Sequence, residues 1–177
     1  MKGTAIKIHQ YFEPVIGLRP LRVKLGLGSF LTFEFGPRSK SHGHLCAPWR
    51  LWIYLSNWSL SHRGHQLVDS DSERRRINIV AHRLEEEARL TGVEFDRRSR
   101  RTTFLFNDFR LVVSPADYLE DADEQDDYWI FFMPNDQVLA VGPSGIHTER
   151  PDALHTAMTG KKQEESFEAK RVIRFED

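Results

Sequence analysis

The order of apolar and polar positions along the chain predicts a β-rich protein with few helices. Residues 51–55, LWIYL, are all aliphatic or aromatic and are bounded by polar positions. That is the signature of a strand covered on both faces. A second run of this kind, YWIFFM at 128–133, lies far downstream. The two are expected to be central strands of one core. Residues 21–25 alternate Leu21, Val23 and Leu25 with Arg22 and Lys24, a half-buried strand. In 29–35, Leu31, Phe33 and Phe35 share one face, and Phe30, Thr32 and Glu34 share the other. Runs at 102–106 and 109–113 flank the turn dipeptide Asn107-Asp108 and form a hairpin. Pro134-Asn135-Asp136 turns the chain from 128–133 into 138–141. The stretches 38–48 and 61–71 read as polar loops, 93–102 as a basic segment poor in strand signals, and 114–127 as an acidic loop.

Helical spacing is rarer. Ile8, Phe12, Val15 and Ile16 predict a short helix over 4–13, with a strand over 5–12 as its rival. Ile77, Val80, Leu84 and Ala88 form an apolar stripe, which predicts the main helix over about 72–90. Ser70 with Glu73 resembles a capping box, and Gly92 reads as its stop. The charges on the other face, Arg74–Arg76 early and Glu85–Glu87 late, oppose the helix dipole. Gly26 and Gly28 mark a bulge or a close backbone approach. The order strand, polar loop, apolar strand occurs on both sides of this helix and hints at a duplicated β unit. The expected fold is one α+β domain over 1–142: a bent antiparallel sheet of about six to eight strands, with the main helix packed on one face. Residues 143–177 are expected to form a polar tail with one late helix near 163–171.

Composition narrows the function classes. The chain has 177 residues, 40% hydrophobic and 29% charged, which suits one globular domain with a real core. Its net charge of −1 supplies no global field for nucleic acid or an anionic membrane, so electrostatic recognition must be local. Cys46 is the sole cysteine, which excludes an intrachain disulfide. No apolar run reaches the roughly 18 residues of a membrane span, and 1–14 lacks the apolar centre of a signal peptide. A cytoplasmic, bacterial-type protein is expected.

Candidate chemistry is sparse. In SHGHLC at 41–46, His42, His44 and Cys46 alternate on an extended chain, so all three would point one way. Imidazole and thiolate in that pattern suit zinc, with His62 or His65 from the next loop completing the set. The bland alternative is a solvated loop with Cys46 as a small hydrophobe. Cys46 with a histidine is also a formal nucleophile pair, but no third group positions a base. Ser144 lies in GPSG, which is not a nucleophile elbow. The carboxylates of 117–127 lack the ladder and glycine of a calcium loop and read as a solvated acidic run. No catalytic residue is assigned. Arg97, Arg98, Arg100 and Arg101 present guanidinium forks suited to phosphate, or to pairing with the acidic run. Trp52 and Tyr54 share the strand face opposite Leu51, Ile53 and Leu55. With the sheet covered on one side only, Trp52, Tyr54 and Trp58 would form an aromatic ligand-binding surface.

The segment GSFLTFEFG at 28–36, then LWIY at 51–54, Trp58, FLF at 104–106 and YWI at 128–130, resembles bacterial domains of unknown function, some of them found beside immunity genes of polymorphic toxins. The resemblance spans residues 5–142. It implies a fold type and a bacterial origin, and it carries no reaction. The first functional expectation is therefore a non-enzymatic module that binds another protein or itself, of immunity or adaptor type. A metal-dependent hydrolase on the loop histidines and a small-ligand binder on the Trp52/Tyr54 face are the alternatives.

Overall fold

A computed structural model describes residues 7–27, 29–41, 44–116, 127–134 and 136–149, with the side chains of Ser41, His44 and Glu149 excepted. After helix α1 (Ile8–Phe12) and a 3-10 turn (Glu13–Val15) come strands β1 (Leu21–Leu25), β2 (Leu31–Phe35), β3 (Ser39–Ser41), β4 (His44–Cys46), β5 (Trp49–Ile53), β6 (Ser56–His62) and β7 (His65–Asp69). Helix α2 (Arg74–Glu87) leads to β8 (Leu90–Asp96), β9 (Arg101–Phe106), β10 (Phe109–Pro115), β11 (Trp129–Phe132), β12 (Val138–Gly142) and β13 (Gly145–Glu149). The class is α+β, dominated by antiparallel sheet. The single bent sheet expected from the sequence is instead two sheets, of six strands (β1-β2-β5-β11-β12-β13) and five strands (β7-β6-β10-β9-β8), with β3-β4 as a separate small hairpin.

The two apolar runs do meet at the centre. β5 and β11 are the middle strands of the six-stranded sheet and pair from Trp129↔Ile53 to Phe132↔Arg50. Alternation then fixes the faces. Leu31, Phe33, Phe35, Leu51, Ile53, Trp129 and Phe131 point inward and are buried. They share one core with Trp58, Leu60, Phe104, Phe106, Leu111 and Val113 of the five-stranded sheet. The Phe33 and Phe106 rings stack across the gap with centroids 6.2 Å apart. Phe12 of α1 inserts between the sheets, stacked on Phe131 at 4.1 Å and edge-on to Phe104 at 5.8 Å. Two buried polar side chains are both satisfied. Trp129 Nε1 donates to Thr102 Oγ1 at 2.7 Å, and Ser56 Oγ donates to the Tyr128 carbonyl at 3.1 Å. A second, smaller apolar cluster (Ile130, Val138 and Ala140, with Phe132) lies on the other side of β11 and β12.

The chain changes sheets at Tyr54-Leu55. β5 ends at Ile53 and β6 begins at Ser56 in the other sheet, so one nearly continuous run serves both layers. The corner is tight enough to hold Leu55 at φ 44°, in the left-handed region that costs a non-glycine residue about 1 kcal/mol or more.

Helix α2 does not lie on a sheet face. It runs beside β1 and β7, which are edge strands of the two sheets, and so closes one side of the sandwich. Ile77, Ala81 and Leu84 are its buried stripe. It spans fewer residues than expected. Its N-cap residue is Glu73, with no side-chain cap; Ser70, expected to cap, instead donates its N–H to the Trp58 carbonyl at 2.9 Å. At its end the backbone is already extended at Ala88, and β8 follows at once.

Three stretches read as loops contain strands. In 61–71, the chain reverses at Arg63-Gly64, both with positive φ (49° and 83°), and β7 pairs back on β6. Within 38–48, β3 and β4 form their hairpin. In 93–102, β8 pairs with β9 along its length, and Gly92 is a register break in that ladder rather than a helix stop. The apparent duplication also dissolves. Strands β2 and β5 are neighbours in one sheet, whereas β9 and β11 lie in different sheets. β13 extends the sheet through residues expected to begin the tail. The acidic run at 117–126 and the late helix near 163–171 fall outside the described residues. No described helix is long and apolar enough to cross a membrane.

Candidate interaction surface

Because Leu51 and Ile53 face the core, Trp52 and Arg50 must face outward. Tyr54 follows them at the corner and is 39% exposed, while Trp52 is half-buried. Phe30, on the turn that leads into β2, stands between these two. Its ring meets each edge-on, with centroids 5.5 Å from Trp52 and 5.5 Å from Tyr54. On the neighbouring strand, Phe132 lies 4.7 Å from Trp52, and the Arg50 guanidinium sits over Phe132 at 5.0 Å. Edge-to-face contacts add about 0.5–1.5 kcal/mol each beyond area burial, so the rings hold one another in place.

Charge borders this patch on one side. Glu34 lies opposite Arg50 in the β2–β5 ladder, and its carboxylate is gripped by Arg38 at 3.2 Å and Arg22 at 3.5 Å. The same two arginines hold the β4 hairpin, donating to the Leu45 carbonyl at 2.8 Å from Arg38 and 3.5 Å from Arg22.

The position of Phe30 is set from beneath. Gly26 N–H donates to the Phe30 carbonyl at 2.6 Å, and a Cβ on Gly26 would lie 2.6 Å from Phe30 Cδ1. Only glycine leaves room for the ring there. Trp58 Nε1 donates to the Ser29 carbonyl at 2.7 Å and so fixes the residue before Phe30.

Of the three aromatic residues singled out in the sequence, the structure brings Trp52 and Tyr54 together through Phe30. Trp58 is buried on the inner side of β6, with 3% exposure, and reaches the surface only through Ser29. Phe132 and Arg50 complete the patch. The alternation of 29–35 had already set Phe30 on the face away from the core. Phe132 carried no such signal, because a run buried on both faces hides its polarity.

Of the candidate metal ligands, the structure describes the side chains of Cys46, His62 and His65. His42 and the side chain of His44 lie outside the described residues. Cys46 is a half-buried free thiol in β4, paired with Ser39. His62 belongs to the five-stranded sheet, where its ring packs 4.6 Å from Phe109 and its Nε2 lies 3.5 Å from Arg83 Nη2. His65 is exposed at the start of β7. Among the described residues, no three or more His, Cys, Asp or Glu side chains gather as a metal site.

Compared with protein-family models, with curated proteins and with solved structures, the chain matches none significantly.

Proposed function

We propose that this is a non-enzymatic protein-interaction module of immunity or adaptor type, working in a bacterial cytoplasm. Its contact surface is the outer side of the six-stranded sheet around Phe30, Trp52, Tyr54 and Phe132, with Arg50. The observation that carries this reading is the pre-arranged group of partly exposed rings, with Phe30 locked edge-on against both Trp52 and Tyr54. Tryptophan, tyrosine and arginine are the residue types that concentrate binding energy at interfaces. Rings already held in place lose little freedom on binding. The rings lie across neighbouring strands of a sheet face. That breadth suits a protein partner better than a small molecule, which needs a concave site.

The test is calorimetric titration of the purified protein with the purified products of neighbouring genes, together with sedimentation of the protein alone across concentration. A partner, or a second copy, should bind, and Trp52→Ala with Tyr54→Ala should weaken that binding at least about tenfold while unfolding stays near wild type. Binding that is indifferent to both substitutions would refute the surface.

A further inference from the structure

The side of the sandwich away from α2 is bounded by the other two edge strands, β8 and β13. There a cleft of about 370 Å3 opens, lined by Phe95, Arg97, Arg100, Ser144, Gly145 and Ile146. Its walls are two turns. One is Arg97–Arg100 between β8 and β9, closed by the Asp96↔Arg101 pair, and the other is Pro143-Ser144 between β12 and β13.

Among the described residues that line the cleft, Arg97 and Arg100 are the charged groups. None of Arg97, Arg98, Arg100 or Arg101 has a carboxylate within ion-pair distance among the described residues. Asp96, the acid beside this turn, is engaged with the turn itself. It accepts the Arg98 backbone N–H at 2.9 Å and the Ser99 hydroxyl at 2.6 Å. Arg97 and Arg100 line the cleft, and among the described residues their guanidinium groups have no hydrogen-bond acceptor. A chain with net charge −1 has concentrated four arginines, Arg97, Arg98, Arg100 and Arg101, within five residues. We infer that this cleft is a binding site for a phosphate ester with a small apolar body, distinct from the aromatic face.

The chemistry of the lining selects that class. One guanidinium fork satisfies the two oxygens of a carboxylate, whereas two forks with the Ser144 hydroxyl suit the three terminal oxygens of a phosphate monoester. Phe95 and Ile146 give an apolar wall that inorganic phosphate alone would leave uncovered. The cleft volume falls within the roughly 300–1,000 Å3 of small-molecule sites.

The experiment titrates the full chain with phenyl phosphate, inorganic phosphate and benzoate, read by calorimetry and by backbone amide shifts of Gly145. Phenyl phosphate should saturate below about 10 mM, more tightly than inorganic phosphate or benzoate, and should weaken as salt is raised. Arg97→Gln and Arg100→Asn should each weaken it about tenfold. Asparagine suits the positive φ of 55° at position 100, so the turn is kept. Trp52→Ala should leave the affinity unchanged. The inference is overturned by an absence of saturable binding, by benzoate binding equally well, or by arginine variants that bind like wild type. It is also overturned if Trp52→Ala abolishes binding, or if binding appears only after Asp117, Glu120, Asp121, Asp123 and Glu124 are neutralised.

Discussion

The carboxylate of Glu85 accepts the backbone N–H of Val23 at 2.5 Å, joining α2 to the edge strand β1. At the other end of the helix, Arg74 donates to the carbonyls of Leu25 at 3.0 Å and Gly26 at 2.5 Å. These charges oppose the helix dipole, at a cost of about 0.3–1 kcal/mol each. They are placed where an exposed strand edge offers unpaired backbone groups, and the helix satisfies groups that would otherwise recruit a foreign strand. Glu85→Ala should therefore destabilise the protein by about 1–3 kcal/mol, the usual cost of losing a charge-assisted bond. Glu85→Gln should cost less. Urea unfolding of the three proteins checks the order.

Trp129 and Thr102 form a hydrogen bond across the core, between the two sheets. Thr102→Val keeps the shape and removes the acceptor, leaving a buried indole N–H unpaired. About 1–3 kcal/mol should be lost. Thr102→Ser keeps the acceptor and sacrifices one methyl, about 1 kcal/mol. Equal losses for the two variants would deny the bond its role.

Gly26→Ala places a methyl group where the Phe30 ring lies. The ring is the movable partner, so it should swing away from Trp52 and Tyr54. The near-ultraviolet circular dichroism of the tryptophans should change, and stability should fall by no more than about 1–3 kcal/mol, as for a modestly overpacked site. Partner binding should drop with it.

Two exposed carboxylates are held below their usual pKa range. For Asp96 the Ser99 hydroxyl is the main cause, then the Arg98 N–H, with the Arg101 charge assisting. For Glu87 the main cause is the hydrogen bond from Arg83, at 2.9 Å. A depressed carboxylate stabilises the fold above its unfolded pKa, about 4. The unfolded state takes up the proton first, so that stability fades as pH falls through the folded value. Asp96→Asn and Arg83→Gln should each differ from wild type by a constant amount at neutral pH. The difference should shrink below about pH 4. Denaturant unfolding from pH 7 to pH 2 measures it.

Much of this architecture was legible because side-chain alternation is a local property. Leu31, Phe33 and Phe35 declared their inward face, and the apolar runs that became β5 and β11 declared themselves central strands of one core, though the outer face of β5 is only partly covered. Asn107-Asp108 declared its hairpin. What failed were turns made by residues with other uses. Arg63 takes a positive φ that arginine rarely adopts, so the Arg63-Gly64 reversal was hidden. Gly92 stands where a helix stop would, yet breaks the register of a strand pair. The division into two sheets was illegible for a related reason. The switch occurs at Tyr54-Leu55, where nothing but the strain at Leu55 marks it. The surface was half legible: alternation turns Trp52 outward, but Trp58, expected on the same surface, is buried on the inner side of β6, and its indole only holds Ser29.

That corner has a mechanical consequence. The strand that carries Trp52 outward continues within three residues into the strand that carries Trp58 inward. The two layers are thus spliced by covalent backbone at a partly exposed corner, so that melting of one should drag on the other. Amides of β5 and β6 should exchange with deuterium in a single concerted opening, and a load applied to Tyr54 would be felt on both sides of the sandwich at once.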